Sequence, residues 1–257
     1  MLIDVPPRSP KDTYITVYGR KPVLEALADP TLAVDKIIVA DTAQGASLRE
    51  IETAARRRDV PVQRASAHRV KVLAGNGRHD QGVLADVVAP RMSTVAEFLA
   101  ALGADEPCAV LVLDAVTNPA NVGMVLRTAT AAGLDGVLLP RRGSPAIDPL
   151  VVKASAGVAF RAPVLRAATA AEGCAALRAA GVTVLGLAGD APASLLDCPL
   201  PARVALVLGN ETDGLSEAVR AELDGTVAIP MHCGVESLNV ASAAAVASYE
   251  LLRRRRS

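Results

Sequence analysis

The stretch Leu206-Val-Leu-Gly-Asn-Glu-Thr-Asp-Gly214 joins an apolar run to a glycine-bounded polar turn that carries a glutamate. Two stretches of the same kind lie before and after it, Asn118-Pro-Ala-Asn-Val-Gly-Met-Val-Leu-Arg127 and Ile229-Pro-Met-His-Cys-Gly-Val-Glu-Ser-Leu-Asn-Val240. In each, glycine stands beside a polar side chain where an apolar strand ends or a helix begins. Ligands of α/β sheets bind at the carboxyl ends of the strands. The three stretches therefore predict one small-molecule site built from segments that are distant in sequence.

Outward from these stretches, the second half of the chain alternates apolar strands with helices. Strands are predicted at 109–113, 136–139, 162–165, 182–188, 204–208 and 226–229, and helices at 121–132, 148–155, 170–180, 215–223 and 239–254. Strands of continuous apolar residues that are separated by helices are typical of a mainly parallel sheet covered on both faces. The fold class predicted for this half is α/β.

The first half shows the same alternation on a smaller scale. Helices are predicted at 21–29, 47–58 and 66–73, and strands at 36–40, 60–64 and 82–88. This pattern favours a small α/β/α sandwich. The predicted domains are a flexible leader at 1–13, a first domain at 14–90, a linker with a helix at 91–106, and a second domain at 107–257.

Composition limits the class of protein. Half of the residues are apolar, 2% are aromatic and tryptophan is absent, so the core must consist of Ala, Val and Leu. The formal charge is zero, which argues against a protein that coats nucleic acid by bulk charge but allows a local basic face. The apolar stretches are too short for a membrane span, and residues 1–10 lack the apolar run of a signal peptide. We therefore expect a cytoplasmic protein.

The cysteines and histidines show no ligand pattern. Cysteines stand at 108, 174, 198 and 233 without a CxxC spacing, and histidines at 68, 79 and 232. His232 and Cys233 are adjacent, which suits one metal ion poorly. We expect reduced thiols, no disulfides and no metal.

The residue types in the three stretches suit chemistry, although each has a simpler structural interpretation. Asn121 is expected to cap a helix, Gly123 allows close approach of another backbone or a ligand, and Arg127 lies six residues farther on. Gly209 leaves backbone groups open to a ligand, and Glu211 should lie at the carboxyl edge of the sheet. The simpler interpretations are helix caps, a surface arginine in an ion pair, and a glutamate near a helix N-terminus.

Taken together, the order and spacing of the three stretches resemble the SpoU-type RNA 2′-O-ribose methyltransferases, members of the knotted α/β methyltransferase superfamily. The stretches Tyr18–Leu27 and His79–Val83 also resemble the start and end of the substrate-binding domain attached to many SpoU enzymes. In that family the domain resembles an RNA-binding ribosomal protein and helps to choose the target RNA. The resemblance covers nearly the whole chain.

The resemblance implies a trefoil knot at about residues 204–257 and S-adenosylmethionine as cofactor. It also implies a homodimer with residues from both subunits near one site, in which the helix 240–252 either forms the interface or is buried within one subunit. The residues that the resemblance assigns to the cofactor are Leu208, Gly209, Ile229, Met231 and Leu238. Those that it assigns to catalysis are Arg127, Asn121, Glu211, Ser237 and Asn239.

The implied reaction is methyl transfer to a ribose 2′-hydroxyl, with 23S ribosomal RNA as the first target. Arg127 is expected to orient the hydroxyl and stabilise negative charge, since a guanidinium resists deprotonation. Glu211 either orients Arg127 or takes the proton. The alternatives are a transfer-RNA target, an antibiotic-resistance ribosomal RNA methyltransferase, and a catalytically silent RNA-binding protein. A Rossmann nucleotide-binding enzyme is disfavoured, because its glycine fingerprint is absent.

Overall fold

The computed structural model describes residues 12–75, 80–103 and 105–256. Residues 1–11 of the expected leader and His79 of the first-domain stretch lie outside the described residues. The chain divides into two compact units, with the main boundary between Pro90 and Arg91.

The smaller unit is an α/β fold in which the described residues form a four-stranded sheet and three α-helices. Its elements are β1 (Tyr14–Tyr18), α1 (Arg20–Ala28), β2 (Val34–Ala40), α2 (Ala46–Arg57), β3 (Val62–Ala65), α3 (Ala67–Ala74) and β4 (Val83–Val88). The sheet order is β1-β4-β2-β3, with β4 antiparallel to both of its neighbours. Val70 of α3 packs with Tyr18, Ile38 and Leu84 on one face. The alternating pattern is confirmed here, and β1 is an additional strand that the sequence did not predict.

Arg58, which follows α2, holds the end of α1. Its guanidinium donates to the carbonyl oxygens of Ala26, Leu27, Asp29 and Leu32. The last carbonyls of a helix have no partner within the helix. Arg58 therefore supplies the hydrogen bonds that the C-terminus of α1 lacks.

The larger unit contains the remaining elements. The strands are β5 (Ser93–Thr94), β6 (Cys108–Leu113), β7 (Gly136–Leu138), β8 (Val164–Arg166), β9 (Thr183–Leu187), β10 (Arg203–Leu208) and β11 (Gly225–Val227). The α-helices are α4 (Val95–Ala101), α5 (Pro119–Ala131), α6 (Pro149–Ala154), α7 (Ala170–Ala179), α8 (Glu217–Arg220) and α9 (Val240–Arg255). A 3₁₀ helix covers Val158–Arg161.

The strands of this unit form one parallel seven-stranded sheet in the order β11-β9-β10-β6-β7-β8-β5. All six residues of β6 are buried, as both faces of a parallel sheet require. The core around it is mainly Ala, Val and Leu, which confirms the expectation from composition.

The segment 91–106, expected as a linker, contains β5 and α4, and both belong to the larger unit. β5 pairs with β8 at the sheet edge, and α4 packs against α7. A capping box at Thr94 and Glu97 fixes the start of α4, and the helix buries Val95 in the core.

The start of α5 differs from the sequence prediction at Asn121. The N-cap is Asn118, whose Oδ1 accepts a hydrogen bond from the Ala120 amide at 2.9 Å, and Pro119 occupies the first helical position. Asn121 is consequently a buried residue inside the first turn, and its side chain is available for other contacts. Gly123 allows α6 to pack closely against α5. A Cβ at residue 123 would lie only 2.7 Å from the carbonyl oxygen of Val151 in α6.

Candidate functional site

A cavity of about 370 Å³ lies at the carboxyl ends of β9 and β10 and is closed by the segment after β11. Its walls are Leu187–Asp190 after β9, the turn after β10, and residues between Ile229 and Ala243. The residues predicted to hold a cofactor all line it: Leu208, Gly209, Ile229, Met231 and Leu238. The fold therefore brings together in one wall groups that are far apart in sequence.

Gly209 is required at the floor of this cavity for steric reasons. A Cβ added there would lie 2.3 Å from the carbonyl carbon of Gly214 and 2.6 Å from the Leu215 amide nitrogen. Both atoms belong to the backbone, so a side chain cannot displace them by a change of rotamer. The turn can close over the strand end only if residue 209 is glycine.

The charged lining of the cavity is mainly acidic. Asp190, Glu211 and Glu236 contribute carboxylates, and Arg220 contributes a guanidinium. The sequence analysis missed Asp190 and Arg220. The rule that ligands meet the carboxyl ends of strands would have found Asp190, because it lies in the short segment that follows β9.

A chain of side-chain hydrogen bonds joins the three stretches. Nδ2 of Asn239 donates to Oδ1 of Asn121 at 3.2 Å, and Nδ2 of Asn121 donates to Oε1 of Glu211. Asn239 also caps α9 through its Oδ1, which accepts from the Ala241 amide at 2.9 Å. Each asparagine is thus held at both ends of its amide, and the carboxylate of Glu211 is fixed by a buried donor.

Asp114, at the end of β6, anchors the turn after β10. This carboxylate is buried and accepts the Ser216 amide at 2.7 Å. Ser216 in turn caps the short helix α8 through the Val219 amide at 3.3 Å. α8 is shorter than the predicted 215–223, because the chain turns away after residue 220 to reach β11.

Two of the predicted catalytic residues, Ser237 and Arg127, lie outside this chain of hydrogen bonds. Ser237 lines the cavity and is exposed. Arg127 is exposed on α5, does not line the cavity, and has no hydrogen bond or ion pair among the residues that the structure describes. Within one chain, then, Glu211 and Ser237 line the cavity, Asn121 and Asn239 are connected to Glu211 by hydrogen bonds, and Arg127 is outside this set.

Cys174 is buried in the core of the larger unit. Burial raises the pKa of Cys174 to about 12, so this thiol stays protonated near neutral pH. In the described ranges no group of three or more His, Cys, Asp or Glu side chains is arranged to hold a metal ion. Within the same ranges no helix has both the length and the apolar character needed to span a bilayer.

Two family models match the chain, one for each unit. The model described as the SpoU rRNA methylase family matches residues 109–249. The model described as RNA 2′-O ribose methyltransferase substrate binding matches residues 16–93. The two models together cover most of the chain.

Individual proteins are similar over nearly the full length. The 23S rRNA (guanosine-2′-O-)-methyltransferase RlmB of Xanthomonas campestris is 37% identical over 240 residues, which cover 93% of this chain and 96% of the relative. The SpoU methyltransferase AviRb of Streptomyces viridochromogenes, solved in complex with AdoMet, matches with a TM-score of 0.62 and 25% identity over 95% of this chain and 91% of AviRb. A structure concerned with 2-OH methylation of C/U34 on tRNA matches 59% of this chain and 98% of its own, with 31% identity and a TM-score of 0.51.

Proposed function

The chain belongs to the SpoU rRNA methylase family of S-adenosylmethionine-dependent enzymes, and we propose that it methylates the ribose 2′-hydroxyl of a guanosine in 23S ribosomal RNA. The observation that carries this proposal is Glu211, which lines the cavity and accepts a hydrogen bond from Asn121, while Asn121 in turn accepts one from Asn239 of the third stretch. The base and the RNA are those named for the RlmB relatives. Because those relatives act on ribosomal RNA, we place the reaction in the cytoplasm.

The cavity suits S-adenosylmethionine in shape and charge. Leu208, Ile229 and Leu238 offer apolar surface to an adenine ring, while Gly209 leaves space for close contact with the backbone. When bound, the cofactor supplies an electrophilic methyl group on a positively charged sulfur. The three carboxylates of the lining favour a ligand that carries positive charge.

Glu211 is the group that we assign to the 2′-hydroxyl proton. Its Oε1 accepts from Asn121, and its Oε2 has no hydrogen-bond partner among the described residues. Oε2 is therefore available to accept the proton as the ribose oxygen becomes a nucleophile. Asn121 and Asn239 keep the carboxylate in one orientation, and Ser237 at the cavity wall is placed to donate to the ribose or its phosphate.

Arg127 is assigned to the same hydroxyl, from the partner subunit of a homodimer. It follows Asn121 by six residues, so it stands about 9 Å farther along α5 and about two-thirds of a turn around it. Asn121 faces Glu211, and Arg127 consequently faces away from its own cavity. A guanidinium supplied by a second copy would orient the 2′-hydroxyl and stabilise the charge that develops on its oxygen.

The chain path that we propose for residues 204–257 is the trefoil knot of the family. α9 packs against α5 and against β10 and β6, so the end of the chain returns to the strands whose ends form the cavity. The hydrogen bond from Asn239 to Asn121 supports the same return. A crystal structure with bound cofactor would test this path, and an unthreaded tail would refute it.

Ribosomal RNA is favoured over transfer RNA by the smaller unit. The substrate-binding model matches residues 16–93, and the RlmB relative covers both units. The structure concerned with tRNA methylation leaves about two-fifths of this chain without a counterpart. A domain that enlarges the RNA contact suits a large folded substrate.

The test is methyl transfer from labelled S-adenosylmethionine to 23S ribosomal RNA and, separately, to transfer RNA, with the modified nucleotide then mapped. We expect label on one 23S guanosine. Label on transfer RNA alone would refute the assigned substrate, and label on neither RNA would refute the proposed activity on both.

The role of Arg127 has its own test. Arg127→Ala and Glu211→Ala should each be inactive, whereas a mixture of the two should regain activity, because a mixed dimer has one site with both residues intact. Arg178→Ala is the control, since Arg178 makes only a 3.8 Å ion pair with Glu222 on the surface. A mixture without activity would exclude the contribution from the partner subunit.

A further inference from the structure

The turn that carries Glu211 has few constraints of its own. It runs from Asn210 to Gly214 and is closed by two backbone hydrogen bonds between these residues, both 3.0 Å long. Thr212 and Asp213 at its tip are exposed, as is Glu211 itself. Asn121 fixes the carboxylate, but the backbone of the turn needs a contact of its own, because a short exposed turn is among the more mobile parts of a fold.

The side chain of Asn210 supplies such contacts on both sides of Glu211. Its Oδ1 accepts from the Thr212 amide at 2.7 Å, within the turn. Its Nδ2 donates to the carbonyl oxygen of Ala115 at 3.2 Å, in the segment that follows β6. One planar amide therefore connects the residue after Glu211 to the end of the neighbouring strand.

Ala115, which accepts the hydrogen bond from Asn210, has an unusual backbone conformation. Its φ is +54°, in the left-handed region, which costs a non-glycine residue about 1–2 kcal/mol. Such conformations persist only where the surrounding structure fixes them. The hydrogen bond from Asn210, together with the buried Asp114 beside it, provides that constraint.

From these contacts we propose that Asn210 is a positioning residue that holds Glu211 in line with Asn121. This inference rests on the proposed function, since it assigns Asn210 a share in the same reaction. Asn210 acts through Glu211: it fixes the turn from the side of β6, while Asn121 fixes the carboxylate from the side of α5. Ala115, which binds Asn210, and Asn121, which binds Glu211, both lie in the short stretch 114–121.

The experiment measures single-turnover rate, cofactor affinity and amide exchange in the full chain. Asn210→Ala removes both hydrogen bonds, and the rate should fall about ten- to a hundredfold, because small misplacements of a catalytic group are costly. The rate is measured at saturating S-adenosylmethionine, so that any change in cofactor affinity, which is recorded separately because Asn210 also lines the cavity, does not enter it. Without cofactor or RNA, the Thr212 amide should exchange with solvent about tenfold faster, since its acceptor is gone.

A double-variant cycle separates positioning from a general structural role. In a Glu211→Gln background, Asn210→Ala should alter the remaining rate by less than about threefold, because residues that act as a unit are not additive. Thr169→Ala is the matched control, since it removes one side-chain bond to a backbone amide at the start of α7 in the same unit. It should leave all three measurements unchanged.

Asn210→Asp provides a second variant if the alanine variant does not fold. It keeps the acceptor for Thr212 and loses the donor to Ala115, so its rate should fall between those of the wild type and Asn210→Ala. An unchanged rate, an equal loss in the Glu211→Gln background, or unchanged Thr212 exchange would each overturn the inference. If the wild type methylates neither RNA, the proposed function fails, while Thr212 exchange still decides the role of Asn210.

Discussion

Replacing Gly209 with alanine should distort the cofactor site by a steric clash. The added Cβ would lie 2.3 Å from the Gly214 carbonyl carbon and 2.4 Å from its oxygen. To restore ordinary contact, the turn must move by about 1 Å, which strains the two backbone hydrogen bonds between Asn210 and Gly214. Overpacking of this kind costs about 1–3 kcal/mol. If that cost appears in binding, the Kd for S-adenosylmethionine rises by about 5- to 150-fold.

Isothermal titration calorimetry with S-adenosylmethionine measures the effect, and thermal unfolding shows whether the variant is folded. Gly225→Ala in β11 is the matched control, because its Cβ would lie 3.6 Å from Leu185 Cδ2, an ordinary contact. The control should bind as the wild type does. Wild-type affinity in Gly209→Ala, or an equal loss in both variants, would refute the assignment of the turn to the cofactor site.

Three further predictions concern stability. Arg58→Lys should destabilise the smaller unit by about 1–3 kcal/mol, because an ammonium group cannot reach the four carbonyls held by the guanidinium; hydrogen exchange in α1 measures the loss. Hydrogen bonds from Arg253 and, to a lesser extent, from Arg254 lower the pKa of Glu250 to about 2. The ionised carboxylate therefore adds to the free energy of unfolding above about pH 4.5, and this stabilisation is lost as the pH falls towards 2. Glu250→Gln should therefore lower the free energy of unfolding at pH 7 and have little effect at pH 2; urea titrations at both values test this. Asn118→Ala should cost about 1 kcal/mol through the lost N-cap of α5, measured in the same way.

The sequence predicted the elements of the larger unit well, because period and composition were unambiguous there. Continuous apolar runs such as Cys108–Leu113 are typical of strands in a sheet covered on both faces. Short elements were harder. β5 has two residues and depends on its partner β8, which no local pattern reveals. Tyr14–Tyr18 became a strand through pairing with β4.

The sequence indicated several residues of the cavity wall, such as Gly209 and Ile229, but not how the polar side chains around them contact one another. Glycine beside polar residues marked the cavity walls, yet Asn121 was expected as a helix cap, because asparagine is common in that role. The choice between Asn118 and Asn121 depends on Pro119, which favours the first helical position. Asn121 bonds to Glu211 and Asn239, which are 90 and 118 residues away, and no local signal encodes such distances.

The hydrogen bond between Asn121 and Asn239 has a consequence for protein synthesis. A nascent chain that stops short of residue 239 has the sheet strands and Glu211 but lacks the donor that holds Asn121. It also lacks α9, whose packing on α5 stabilises that helix. A translation product that ends before residue 239 therefore lacks both contacts that hold Asn121 and its helix in place.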